Sequence, residues 1–380
     1  MSDTGAAQGP DRNPIKARHT MMNTSLAIKE NHSLKELTTF RIGGPARFFA
    51  AVATEGQARG ALAFARESRV PVFVLGGGSN ILVSDAGFPG LVILNRIQGR
   101  ETRLEGGYAH MRAGAGEEWD AIVHYCVENG WQGVECLSGI PGTAGAAPVQ
   151  NIGAYGQSAD AVVSEVRALH RESGEVVVFS NPACGFGYRT SFFNSAGSGK
   201  YLITSVLFRL IRDAAPDLSY RDLREYFSGR GEISLARVRK AVLEIRNTKG
   251  LLTLHGYDVF QSAGSFFKNP LMPAGQFEEL RRKVQDAGGC TAWAWPQPSG
   301  EVKVSAACLI QCAGFSRGFR QGKVGLSPRH ALILVNYQDA SADEIIAFAR
   351  EIQEKVRERF GVLLKPEVQL VGFSTPNPLL

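Results

Sequence analysis

The chain has 380 residues, of which 44% are hydrophobic and 21% charged, enough for two or three domains with ordinary globular cores. A formal net charge of +6 suits an anionic ligand, but no Lys/Arg run is dense enough to argue for nucleic acid. No apolar run approaches the roughly 20 residues of a membrane span, and the six cysteines lack metal-ligand spacing, so free core thiols in a reducing compartment are expected.

Residues 1–25 contain no apolar secretion signal and read as a disordered extension, with Met21 or Met22 as alternative starts; a cytoplasmic protein is expected. Gly43-Gly44-Pro45 breaks the chain before a short apolar strand, and Ala58, Ala61, Leu62 and Ala65 fit one face of a helix. Val70–Leu75 is a continuous apolar run, predicting a buried strand that ends in Gly76-Gly77-Gly78-Ser79-Asn80. Ile81 stands where a dinucleotide fingerprint needs its third glycine, and no lysine follows for a P-loop. What survives is a glycine turn able to hold phosphate through N–H groups, or a plain tight turn.

A helix is predicted over about 117–129, with Trp119, Ile122, Val123 and Cys126 on one face and Gly130 as its C-cap. The richest stretch follows at 138–156. Glycines at 139, 142, 145, 153 and 156 alternate with Pro141 and Pro148, a combination suited to a stiff nest of backbone donors for an anion. A structural turn has similar composition, but Gln150, Asn151 and Tyr155 add polar and stacking groups that a connector does not need. Segments 161–170 and 175–179 read as a hairpin. Arg189, inside Gly185-Phe-Gly-Tyr-Arg-Thr-Ser191, is set to grip a carboxylate with its planar fork or to stack on a neighbouring ring.

A further helix is predicted over about 234–247, and Gly250 ends the pattern. Ser262-Ala-Gly-Ser-Phe-Phe-Lys-Asn-Pro270 places Ser265 after a glycine and Lys268 and Asn269 nearby. A Ser-x-x-Lys nucleophile would have the same spacing, but its partner motifs are missing. His330–Asn336 predicts a buried strand, where His330 is either functional or a satisfied polar group. Ser341 and Glu344 form a capping box, and Ile345, Phe348, Ala349, Ile352 and Val356 the stripe of the helix that Gly361 stops. Glu367, on a short apolar strand beginning at Pro366, has to be exposed or paired.

From about Leu34 to Gly372 these motifs resemble, in order, the UDP-N-acetylenolpyruvoylglucosamine reductase family, in the subclass with a tyrosine loop. The resemblance implies an α+β fold. A two-part FAD-binding region of the vanillyl-alcohol-oxidase-like type precedes a C-terminal substrate domain. The corresponding division is 26–97 joined by the strand at about 362–380, then 98–247, then 248–361. Gly76, Gly77, Gly78, Ser79, Asn80, Gly142, Thr143, Gly145, Asn151, Gly153 and Tyr155 are implied to bind FAD. Ser79-Asn80 stands where many oxidases of that fold carry a flavin-linking histidine, so the FAD is expected to be non-covalent.

By the same resemblance Ser265 is the proton donor, Arg189 lies against the enolpyruvyl group and Glu367 is the catalytic glutamate. Tyr220 in Leu218-Ser-Tyr-Arg-Asp-Leu223 matches a mobile loop tyrosine, and Lys249, Asn269 and His330 are implied contacts to the nucleotide or carboxylate. Trp295 departs from a tyrosine before proline at the diphosphate. NADPH as reductant, a UDP-sugar enolpyruvate substrate, no metal and a monomer are expected. The alternatives are a flavin oxidase of the same fold and a non-catalytic sugar-nucleotide sensor.

Overall fold

The structure, a computed structural model, describes residues 26–229, 231–252, 259–288, 293–297, 299–375 and 378–379. The N-terminal extension lies outside the described residues. Pro45–Val52 pairs antiparallel with Lys29–Ser33 and parallel with Phe88–Asn95, which in turn pairs parallel with Val72–Leu75. The helix Glu55–Glu67 crosses between these strands; Thr54 caps it by accepting the Gln57 N–H at 3.1 Å. Its Ala58, Ala61, Leu62 and Ala65 face is buried as the spacing predicts. Val72, Phe73 and Val74 are only half-buried, because one side of their strand borders a cavity.

A second, antiparallel sheet runs Val176–Ser180, Val163–His170, Tyr201–Arg212, Tyr108–Gly114, Arg100–Glu105, and contains the predicted hairpin. The helix Trp119–Glu128 packs on it through Trp119, Ile122, Val123 and Cys126. Asp120 on this helix meets Arg239 of the helix Leu235–Thr248 in two bonds of 2.7 Å and accepts the Gly139 N–H at 2.6 Å. The base of the 138–156 loop is thereby tied to two helices.

The third core gathers around the helix Ala342–Phe360, which has the expected capping box and a left-handed Gly361 at its end. Helices Ala274–Asp286 and Ala306–Cys312 and two three-stranded sheets pack against it. The chain then returns to the first core: Gln369–Val371 pairs parallel with Ile81–Val83, directly after the first glycine loop.

Two strand predictions shorten. His330 Nδ1 accepts the Leu332 N–H at 3.1 Å, turning the chain, so the strand is confined to Leu334–Asn336. Pro366 lacks an N–H for a ladder, and Pro366 makes an isolated bridge to Phe267 before the strand begins at Gln369. Cys126, Cys136 and Cys184 are free and buried as expected and Cys312 is buried, whereas Cys308 is disulfide-bonded, against the free-thiol reading; Cys290 lies outside the described residues.

Candidate active site

The two glycine loops meet along one wall of a cavity of about 570 Å³. A Cβ on Gly77 would lie 2.9 Å from the Gly142 Cα, and one on Gly76 2.9 Å from Thr143 Oγ1. Gly78, at φ +63°, would place a Cβ 1.9 Å from the Leu37 carbonyl oxygen, so glycine is required by both conformation and space. Ser79 Oγ donates to the Pro141 carbonyl at 3.2 Å and fastens the loops together. Among the described residues, the backbone N–H groups of Gly77, Gly78, Ser79, Asn80, Gly142 and Thr143 donate to no protein acceptor. Unpaired amides on residues lining a cavity are a nest for anionic oxygens, and the cavity has the size of a cofactor site. A dinucleotide such as FAD fits this donor set.

At one end the lining includes Lys268 and Glu367. Glu367 Oε1 lies 2.9 Å from Arg189 Nε, and the two side chains are only 14% and 25% exposed. Arg189 is at φ +53°, a left-handed conformation that costs a non-glycine residue of order 1–3 kcal/mol. Its neighbours hold it there. Asn194 Oδ1 accepts the Ser191 N–H at 2.9 Å, Asn194 Nδ2 donates to the Arg189 carbonyl at 3.3 Å, and Ser191 Oγ donates to the Val149 carbonyl at 2.8 Å. The guanidinium donates through Nη2 to the Gly153 carbonyl at 3.1 Å. Its Nε–H, although close to Glu367, is misaligned and makes no hydrogen bond. Burial pushes the Glu367 carboxyl above the usual glutamate range, against the opposing pull of Arg189 and Lys268.

Ser265 lies on the adjoining segment. The Phe266 carbonyl accepts the Glu367 N–H at 2.8 Å, and Ser265 bridges to Ile333. Its half-buried hydroxyl has no hydrogen-bond partner among the described residues.

A second group of side chains gathers around Tyr155. Lys249 Nζ sits 5.4 Å from the Tyr155 ring and 2.8 Å from Asp222 Oδ2, and Tyr220 meets Tyr155 edge-on at 5.5 Å. Tyr220 is the N-cap of the helix Arg221–Phe227. Burial, reinforced by Lys249 and Arg317, pushes the His330 imidazole down to about 4, so it is neutral at physiological pH. With Nδ1 accepting from Leu332, its Nε2 carries the proton.

Of the predicted cofactor residues, Gly76 to Asn80, Gly142, Thr143 and Gly145 line the cavity together. Asn151, Gly153 and Tyr155 do not: Asn151 bonds the Gly187 carbonyl and the Asp160 N–H, Gly153 holds Arg189, and Tyr155 faces Tyr220 and Lys249. Asn269 Oδ1 accepts the Ala306 N–H at 3.0 Å, at the start of the helix Ala306–Cys312 whose N-cap is Ser305. Sequence reasoning missed Lys303, whose ammonium sits 5.4 Å from the Tyr188 ring and 5.9 Å from that of Trp295. Burial, with Arg189 nearby, pushes its pKa down. The alternation of Glu301-Val-Lys-Val304 was the available signal, since it puts Lys303 on the face opposite the buried valines.

Comparison with known proteins agrees with this geometry. Residues 46–180 match the profile of the FAD binding domain. With the nest and cavity, that makes the chain an FAD-dependent oxidoreductase. Residues 256–371 match the profile of the UDP-N-acetylenolpyruvoylglucosamine reductase C-terminal domain. The reductase of that name from Thermobifida fusca is 39% identical over 93% of this chain and 100% of its own length, and that of Pseudomonas aeruginosa 42% identical over 91% and 99%. The crystal structure of the Thermus caldophilus enzyme superposes with a TM-score of 0.60 at 26% identity, covering 91% of this chain and 99% of that one. The chain belongs to the UDP-N-acetylenolpyruvoylglucosamine reductase family.

Proposed function

We propose that the protein reduces the enolpyruvyl ether of UDP-N-acetylglucosamine to UDP-N-acetylmuramate, with NADPH as donor, in peptidoglycan precursor synthesis. The observation that carries this reading is the Arg189–Glu367 pair, with Ser265 on the adjoining segment and Glu367 itself lining the cavity of the glycine loops. FAD held by residues 76–80 and by Gly142, Thr143 and Gly145 of the two glycine loops would supply the hydride-transfer chemistry between NADPH and the substrate alkene.

The chain's own residues handle charge and proton. Arg189 is held in place by Glu367 beside Nε at 2.9 Å and by the Gly153 carbonyl at Nη2, which makes it a positioned cation in a half-buried setting. A substrate carboxylate suits such a cation. Negative charge grows toward this carboxylate as the double bond is reduced, so the guanidinium binds the transition state more tightly than the ground state. Ser265 gives the proton to the neighbouring carbon, and Glu367, whose proton affinity burial raises against the pull of Arg189 and Lys268, completes the setting. Lys249 and Lys303, each against aromatic rings, and neutral His330 provide donors for the nucleotide portion.

The test is NADPH oxidation by the FAD-loaded protein with and without UDP-N-acetylglucosamine enolpyruvate. Strong dependence on that compound is expected. NADPH oxidation that ignores it, or oxygen uptake on a free sugar alcohol without NADPH, would overturn the proposal.

A further inference from the structure

Two amide side chains converge on one main-chain atom of the site. Asn80 Nδ2 and Gln150 Nε2 both donate to the Glu367 carbonyl oxygen at 3.2 Å. A carbonyl has two lone pairs, so the two donors complete its bonding. Asn80 closes the first glycine loop and Gln150 lies in the second, and both residues line the cofactor cavity beside Glu367. Asn80 is gripped in return, its own carbonyl accepting the Gln369 N–H at 3.0 Å. On the other side, the Glu367 N–H donates to Phe266 at 2.8 Å, and Lys268 N–H to Lys365 at 2.9 Å. The Glu367 peptide is thus suspended between the Ser265 segment and both cofactor loops.

We propose that Asn80 and Gln150 are positioning residues that hold Glu367 through its main-chain carbonyl and link filling of the cofactor cavity to the placement of that carboxyl. The proposal rests on the reading of Glu367 as the acid of the site. The titratable or charged groups facing the carboxyl are Arg189 on the loop before Ser191, Lys268 on the segment after Ser265, and Tyr188 beside Arg189. None of them lies on the two glycine loops. The clamp therefore acts on this carboxyl by fixing its depth rather than by adding a charge.

Gln150→Met keeps the bulk of the side chain and removes the donor; Asn80→Ala removes the donor at the other loop together with the side chain's volume. A loosened Glu367 gains water, and its proton affinity falls toward that of an ordinary carboxyl. The readout is the band of a protonated buried carboxylic acid in infrared pH titrations, assigned by its loss in Glu367→Gln and recorded with and without FAD. Each clamp variant is expected to move the midpoint of that band down by about half a pH unit or more. In the wild type, loading FAD is expected to move it up, and in Gln150→Met by less. In a double-mutant cycle, Gln150→Met is expected to slow substrate reduction several-fold in the wild-type background and not in Glu367→Gln.

A Glu367 band at the same pH in wild type and both clamp variants would overturn the proposal. So would a Gln150→Met loss that persists undiminished in Glu367→Gln, since that places Gln150 on the cofactor or substrate directly. Failure of the underlying reading looks different: Glu367→Gln itself would then reduce substrate at the wild-type rate.

Discussion

Between the glycine loops and the cluster of Arg189, Ser265 and Glu367, the difference is one of material. The loops are shaped by backbone: side chains are missing where Gly77 faces Gly142, and six amides on the two loops have no protein acceptor among the described residues. The proposed catalytic cluster is shaped by side chains drawn from three segments far apart in sequence, joined by one ion pair and a short ladder. Backbone nests tolerate little change at a glycine but are indifferent to many neighbours. A side-chain cluster loses its chemistry with one atom group.

That contrast can be broken experimentally. The largest effect is expected from Arg189→Met. Reduction of substrate by reduced enzyme should fall about 10²–10³-fold, while NADPH still bleaches the flavin at nearly its normal rate in stopped-flow traces. Gly78→Ala should do the opposite. A left-handed non-glycine residue costs about 1–2 kcal/mol, and here the added Cβ also collides with the Leu37 carbonyl. The ratio of flavin to protein absorbance in purified samples should drop several-fold, with the chemistry of whatever flavin remains unchanged.

Glu367 tests where the two regions meet. Its folded-state pKa lies above the ordinary value, so the stability tied to its proton is fully present below the ordinary glutamate range and is lost as pH rises through the raised value. Melting temperatures of Glu367→Gln, compared with wild type over a pH series, should shift in the variant's favour as pH rises. A constant difference across the series would mean that burial is not what raises the carboxyl. The smallest effect belongs to His330→Gln. Because the imidazole is already neutral down to about pH 4, KM for the sugar nucleotide should change only a few-fold, and no limb near pH 6.5 should disappear from the pH profile.

The backbone region was the more legible of the two from sequence. Glycine spacing and flanking prolines announced both loops, and the helix of Ala58, Ala61, Leu62 and Ala65 and the capping box at Ser341 declare themselves locally. The proposed catalytic cluster could be named only because its motifs occur in a known family's order; nothing in the composition pairs Arg189 with Glu367. Tyr155 shows the limit. Its place in a glycine-rich loop suggested the cofactor, but at φ +49° its backbone belongs to a turn, and its ring packs against Tyr220 and Lys249. Lys303 was passed over because a lysine in a short alternating strand looks like any solvent-facing one. Its value comes from Tyr188, Trp295 and Arg189, which only the folded chain brings to it.

The most direct test is a single-turnover experiment on Ser265→Ala. FAD-loaded variant is first reduced with one equivalent of NADPH and then mixed, without oxygen, with UDP-N-acetylglucosamine enolpyruvate, while flavin absorbance is followed. The prediction is normal reduction by NADPH and a reoxidation slowed by about 10²–10⁴-fold, the range for loss of a positioned proton donor. Reoxidation at the wild-type rate would contradict the assignment of the proton to Ser265, and equal slowing of both half-reactions would show that the serine serves the fold rather than the chemistry.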